Sequence, residues 1–272
     1  MTESTHRPDA AFARALSLSR SALAESPAGL LTDFDGTLSP VVGDPSRARL
    51  VEGAADALVA LARRLAVVAV VTGRAATDAR HMTGVRGLLI AGNHGTEWLE
   101  PDADEPDASP QAAAVRERLE RVLERVPELA GVIVEDKVIS ATVHYRNAGD
   151  PDGARRAILD ALGDVSSEGL ERRPGRMSVE IRAPELGDKG SAVRAIIERF
   201  GLRGAVIMGD DVTDLDMFRA VGKLRADGRI DGVIIGVEGA GGEAPPEVAA
   251  AADVMLAGPQ DAARLLAALA EG

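Results

Sequence analysis

Five short apolar runs punctuate the chain, each rich in Val, Ile or Leu and each closing on a Gly or Asp turn. They are GLLTDFDGT (29–37), LAVVAVVTGR (65–74), GLLIAGNHG (87–95), GAVIMGDD (204–211) and GVIIGVEG (232–239). Their apolar positions are continuous, not alternating, which is what parallel strands show when helices cover both faces of a sheet. Between the runs the period changes to that of helices. Leu58, Leu61 and Leu65 share a face over 51–65, while Val193, Ile196, Ile197 and Phe200 form a stripe over 189–200 that Gly201 stops. The alternation of strand and helix predicts a doubly wound, Rossmann-like parallel α/β core.

The middle of the chain breaks this rhythm. EPDADEPDASPQ (100–111) is acidic, contains prolines and has no period, so it reads as a linker. A charged helical stretch over 115–126 follows, then VIVEDKVISATVHYR, whose polar and apolar residues alternate as in antiparallel strands. A second helix over 153–162 and the strand RMSVEIRAP complete the insert. The expected division is a core built from 1–100 and 186–272, with a smaller α+β cap at 101–185.

Composition narrows the function. With 272 residues and 46% apolar content there is enough material for a large buried core, and no apolar stretch approaches a membrane span. No secretory leader is evident at the N-terminus, so a cytoplasmic address is expected. There is no cysteine, so any metal must be held by oxygen or imidazole. A formal charge of −12, with four Phe, one Trp and one Tyr, argues against nucleic acid as a partner. Lysines are just three, Lys137, Lys189 and Lys223, in a chain that otherwise uses arginine.

In open α/β sheets ligands gather at the carboxyl ends of the strands. Those positions hold Asp33 and Asp35 after the first run, Thr72 after the second, and Asp210 and Asp211 after a later one. Four carboxylates at one edge repel unless a hard cation joins them, and an oxygen-only set suits Mg²⁺. Asp33 is a carboxylate that could attack phosphorus without a base to activate it. Gly36 and Thr37 could aim backbone N–H groups at phosphate oxygens. Asp35 is placed to protonate a leaving oxygen and then to deprotonate water. Thr72, with Gly73, and Lys189 would hold the transferring phosphoryl group.

DFDGT, VVTGR, GDKG and GDDVTD, in that order, resemble the four motifs of haloacid-dehalogenase-type phosphohydrolases. Within that superfamily GNHG (92–95), EDK (135–137), VHYR (143–146) and VEIRAP (179–184) are similar to the pattern of trehalose-6-phosphate phosphatases. The resemblance implies Mg²⁺ bound by Asp33, the Asp35 backbone carbonyl and Asp210, with Asp211 and Asp214 as candidates to support those ligands. It implies a cap closing over a sugar phosphate and a phospho-aspartyl intermediate. Arg74, Asn93 and His94 would line the core side of the sugar pocket, and Glu135, Lys137 and Glu180 would reach glucose hydroxyls from the cap. His144 and Arg146 also match, as sugar contacts or as supports of their strand. The family usually continues its fourth motif as GDDxTDE, whereas Leu215 follows Asp214 here. A monomer is expected.

Each motif has a plainer reading alone. DFDGT can be a turn, Asp188 can cap a helix on which Lys189 is merely solvated, EDK can be a charged turn, and Trp98 can pack at a hinge. Two rival functions use similar parts: a phosphatase of sucrose phosphate or a glycosylglycerate phosphate, and a receiver-like switch phosphorylated on Asp. Asp35, just beyond the nucleophile, and the large insert separate this chain from a receiver.

Overall fold

The computed structural model describes residues 7–42, 47–136, 139–175, 177–184, 188–239 and 244–271. The chain forms two compact units, Met1–Asp107 with Asp188–Gly272, and Ala108–Gly187.

The first unit opens with α1 (Arg7–Ala24), β1 (Ala28–Thr32), α2 (Ala54–Ala62), β2 (Val67–Val71), α3 (Ala76–Thr83), β3 (Leu89–Gly92) and β4 (Glu97–Leu99), and leaves through the two-residue β5 (Asp107–Ala108). The second unit contains α4 (Pro110–Leu123), β6 (Ile133–Asp136), β7 (Ser140–His144), α5 (Pro151–Leu162), β8 (Glu171–Gly175) and β9 (Ser178–Arg182). The chain then completes the first unit with α6 (Lys189–Arg199), β10 (Gly204–Gly209), α7 (Leu215–Ala226), β11 (Asp231–Val237), α8 (Pro246–Ala251), β12 (Val254–Leu256) and α9 (Pro259–Glu271).

Strand order in the large sheet is β12-β11-β10-β1-β2-β3-β4-β5. The strands from β12 to β3 pair in parallel, and β4 turns back antiparallel on β3. The apolar runs are continuous because successive side chains enter different cores. Leu30, Val68, Val70, Ile90, Val206 and Met208 pack with α1, α2, α3 and α9. Their neighbours Leu31, Ala69, Val71, Leu89 and Ile207 pack with α6 and α7. The sheet order reverses at β1, which puts the ends of β1, β2 and β10 side by side.

The second unit is a four-stranded antiparallel sheet, β6-β7-β9-β8, with its own core. Val115, Leu119 and Val122 of α4 and Ala154, Ile158 and Leu162 of α5 cover Ala141, Val143, Val179 and Ile181 on one face. Ser109 and Asp150 cap the two helices, each accepting a hydrogen bond from a backbone N–H in the first turn, and Pro110 and Pro151 occupy the first turns. The linker expected over 100–111 is thus shorter: its second half is β5, a cap residue and the start of α4.

Candidate active site

The loop after β1 is set by its glycine. Gly36 has φ +81°, and a Cβ there would lie 1.9 Å from Asp210 Oδ2. Glycine is the amino acid that tolerates both that backbone angle and so close an approach. Its N–H donates to the Ser39 carbonyl at 2.7 Å. Gly36 therefore differs from the sequence expectation: its amide is used to close the turn, and its part is to let β1's loop meet the end of β10. Thr37 is fully buried and its hydroxyl donates to Asp210 Oδ1 at 2.7 Å, fixing that carboxylate.

Asp33 and Lys189 meet in the interior. Lys189, first residue of α6, places Nζ 2.8 Å from Asp33 Oδ1 and 2.6 Å from Asp214 Oδ1, and all three side chains are buried. Asp188 caps α6 by accepting from the Ser191 N–H at 2.6 Å, and Lys189 beside it is buried, not solvated. Asp214 uses its other oxygen to accept from the N–H groups of Asp210 at 2.9 Å and Asp211 at 3.1 Å. With both oxygens engaged, Asp214 is a buried anchor for Lys189 and for the β10 loop. Gly209 permits this, since a Cβ there would lie 2.6 Å from Asp214 Cβ. Leu215, where the sequence departs from GDDxTDE, packs into the apolar core on the α6–α7 side of the sheet. Asp211 is exposed and caps the turn over 212–214, accepting from the Val212 N–H at 2.7 Å.

Asp33, Asp210 and Asp214 each offer a carboxylate oxygen within 4.8 Å of the others. One ammonium faces three buried carboxyls, so the cluster lacks positive charge. Burial, the largest effect, pushes the Asp210 carboxyl from 3.8 up to about 7; the Thr37 hydrogen bond opposes the rise and Asp214 adds to it. Burial likewise raises Asp33, against the pull of Lys189. Lys189 is raised, because its two carboxylate partners together outweigh its own desolvation, so it stays charged through the neutral range. Buried oxygens short of positive charge, with no thiolate or imidazole among them, fit a hard divalent cation.

The loops after β2 and β3 are stitched together. The Asn93 N–H donates to the Arg74 carbonyl at 2.7 Å and the His94 N–H to the Thr72 carbonyl at 2.9 Å. Thr72 is buried, and its Oγ1 accepts from the Arg74 N–H at 3.2 Å. Asn93 and His94 sit at φ 46° and 58°, an uncommon left-handed pair. Gly73 makes room for the imidazole, since a Cβ would lie 2.9 Å from His94 Cε1. Burial, then the charge of Lys189, lowers the His94 pKa. Glu97, which the sequence reading passed over, accepts from the Ala76 N–H at 3.0 Å and from Asn93 Nδ2 at 2.5 Å, tying α3 to this turn. Its one sequence signal is a carboxylate four residues after Asn93, in NHGTE.

Arg74, expected on the core side of the sugar pocket, donates from Nε and Nη2 to the two Asp35 oxygens at 2.5 and 2.7 Å. Asp33, Asp35, Thr72, Gly73, Arg74, His94, Lys189, Asp210 and Asp211 all line one cavity of about 450 Å³ in the first unit. Val41, Thr213 and Gly239 complete it. Thr213 stands within GDDVTD, whereas Val41 and Gly239 carry no motif signal.

In the second unit, pairing aligns Glu135 with Thr142, Thr142 with Glu180, and Glu180 with Arg173. These four lie on the sheet face opposite α4 and α5. His144 is on the same face, with Nε2 2.9 Å from Glu135 Oε2. Arg146, exposed, follows β7. Lys137 lies outside the described residues.

A parallel core with reversal at β1, carboxylates at the strand ends and an α+β insert before the lysine define a hydrolase fold of the haloacid-dehalogenase type. A family model described as trehalose-phosphatase matches residues 31–242, and the chain belongs to that family. It is 38% identical over 223 residues to a trehalose-phosphate phosphatase of Mycobacterium avium, covering 79% of this chain and 56% of that protein. A Mycobacterium tuberculosis protein described as an uncharacterized glycosyl hydrolase is 40% identical over 199 residues, 70% of this chain and 15% of that protein. The chain thus spans about half or less of these relatives. Among solved structures, the Aspergillus fumigatus trehalose-6-phosphate phosphatase shares the fold, with a TM-score of 0.62 at 24% identity, covering 96% of this chain and 97% of that one.

Proposed function

We propose that the protein hydrolyses trehalose 6-phosphate to trehalose and phosphate, with Mg²⁺ held by Asp33, Asp210 and the Asp35 carbonyl. The observation that carries this reading is Lys189 clamped between Asp33 and Asp214 beside a second buried carboxylate, in a chain of the trehalose-phosphatase family. When bound, the cation cancels charge between the carboxylates and the incoming phosphate.

An Asp33 oxygen attacks phosphorus, and the bond from phosphorus to the sugar oxygen breaks as Asp35 gives that oxygen a proton. Water then attacks the phospho-aspartate and passes a proton to Asp35. The bond between phosphorus and the Asp33 oxygen breaks, so both side chains return to their starting forms. Lys189 and the Thr72 hydroxyl hold the phosphoryl oxygens through both steps. Glu135, Lys137 and Glu180 are assigned to glucose hydroxyls, which an apolar pocket would bind poorly.

Phosphate release from trehalose 6-phosphate, sucrose 6-phosphate, glucosylglycerate phosphate and glucose 6-phosphate, each with and without EDTA, tests the reading. It expects metal-dependent turnover with kcat/KM highest for trehalose 6-phosphate. A rate there no better than on glucose 6-phosphate removes the assigned substrate, and full activity in EDTA removes the metal. Asp33→Asn should keep the fold and retain less than about a hundredth of the turnover; more than that rules out the nucleophile.

A further inference from the structure

We infer that Arg74 is the positioning residue of the acid/base Asp35, not a sugar contact. The inference rests on the role proposed above for Asp35.

The contact is built from every side. Arg74's backbone is held at both ends, its N–H on Thr72 Oγ1 and its carbonyl on the Asn93 N–H. Its guanidinium lies 5.8 Å from the centre of the Phe34 ring, whose side chain is fully buried, and the fork then closes on both oxygens of Asp35. A planar two-point contact fixes the rotation of a carboxylate as well as its location, which a single ammonium does not. Among the described residues, Arg74 donates two hydrogen bonds to the Asp35 side chain. Burial of the pair is partial, with side-chain exposures of 18% and 35%, so the carboxylate remains open to the cavity.

Proton transfer is sensitive to placement, and a carboxylate that must serve first a leaving oxygen and then a water has to sit within reach of both. Arg74 supplies that placement from the loop that also carries Thr72, so the acid and the phosphate hydroxyl are held by one turn.

The leaving group separates this role from sugar binding. p-Nitrophenolate departs without a proton, so the first step on p-nitrophenyl phosphate does not need Asp35, whereas breakdown of phospho-aspartate does. In the metal-loaded full chain, Arg74→Ala should lower kcat on trehalose 6-phosphate by about 10- to 100-fold, within the range that acid–base catalysis supplies, with KM changed less than threefold. On p-nitrophenyl phosphate the same variant should give a rapid burst of nitrophenol larger than the parent's, then a slow steady rate. Arg74→Lys, which keeps the charge but cannot fork, should show the same pattern in weaker form and checks that the effect is not loss of fold.

A KM on trehalose 6-phosphate raised tenfold or more at unchanged kcat, with p-nitrophenyl phosphate untouched, makes Arg74 a sugar contact and overturns the inference. Parental kinetics in both variants overturn it too. Asp35→Asn, run alongside, separates the two layers. If it keeps full turnover, the acid/base reading itself fails; if it is inactive while Arg74→Ala is not, the inference alone fails.

Discussion

At Gly36 two demands coincide, a left-handed backbone and the near approach of Asp210. Gly36→Ala keeps the polarity of the loop but has to displace the Asp210 carboxylate. The expected outcome is a loss of Mg²⁺ affinity of at least about tenfold, roughly 1.4 kcal/mol, together with a lower Tm. Calorimetric titration with the metal checks it, and parental affinity would mean that the loop yields without moving Asp210. The same residue marks where sequence reasoning fell short. DFDGT placed a turn and its acids correctly on the chain, but whether the Gly36 amide faces phosphate or its own loop depends on Ser39, which carries no motif. The Arg74–Asp35 pair was also invisible, because the two residues are 39 positions apart and an arginine beside an expected sugar pocket reads equally well as a ligand.

The strands that could be read from the sequence are those buried on both faces, where apolarity is continuous, and β6, β7 and β9 of the second unit, where polar and apolar residues alternate. Those that could not be read are strands of other kinds. β8, ERRPG, has no apolar residue beyond its proline and forms the edge of the second sheet, and β12 is three residues long. Helix starts shifted for capping reasons. The helix expected from Val115 begins at Pro110 because Ser109 caps it and proline suits the first turn. The one expected from Val51 begins at Ala54, after the Val51 N–H has been taken by the Leu38 carbonyl. α6 illustrates how an element serves the site: its cap holds the end on which Lys189 sits. Asp188→Ala should cost about 1 kcal/mol in urea unfolding and lower kcat, since the first turn is then free to shift. A stability loss with no change in turnover would limit Asp188 to the helix. In the sheet itself, Ile207→Ala removes a fully buried side chain and is expected to cost about 2–5 kcal/mol, read from the same unfolding curves.

For the molecule as a whole, the buried acids link metal, proton and stability. Asp210 rises from 3.8 to about 7 on folding, so the folded chain binds that proton more tightly than the unfolded chain. Its contribution therefore becomes less favourable as pH climbs from about 4 to about 7, and levels off above. In EDTA, the fall in Tm across that window should be smaller for Asp210→Asn than for the parent. Added Mg²⁺ should offset the loss, since it displaces the same proton. Its stabilisation, about 2.7 kcal/mol at one hundred times Kd, should be larger at pH 8 than at pH 5.5. Thermal shifts at both values decide this, and an equal shift would exclude the proton–metal competition.

Of three lysines in the chain, one is shut inside the site and another, Lys223, stands in solvent on α7. An amine-acylating reagent followed by peptide mass mapping thus has an internal standard. Modification of Lys223 reports dose, and any label on Lys189, normalised to it, measures how often the Asp33–Asp214 clamp opens.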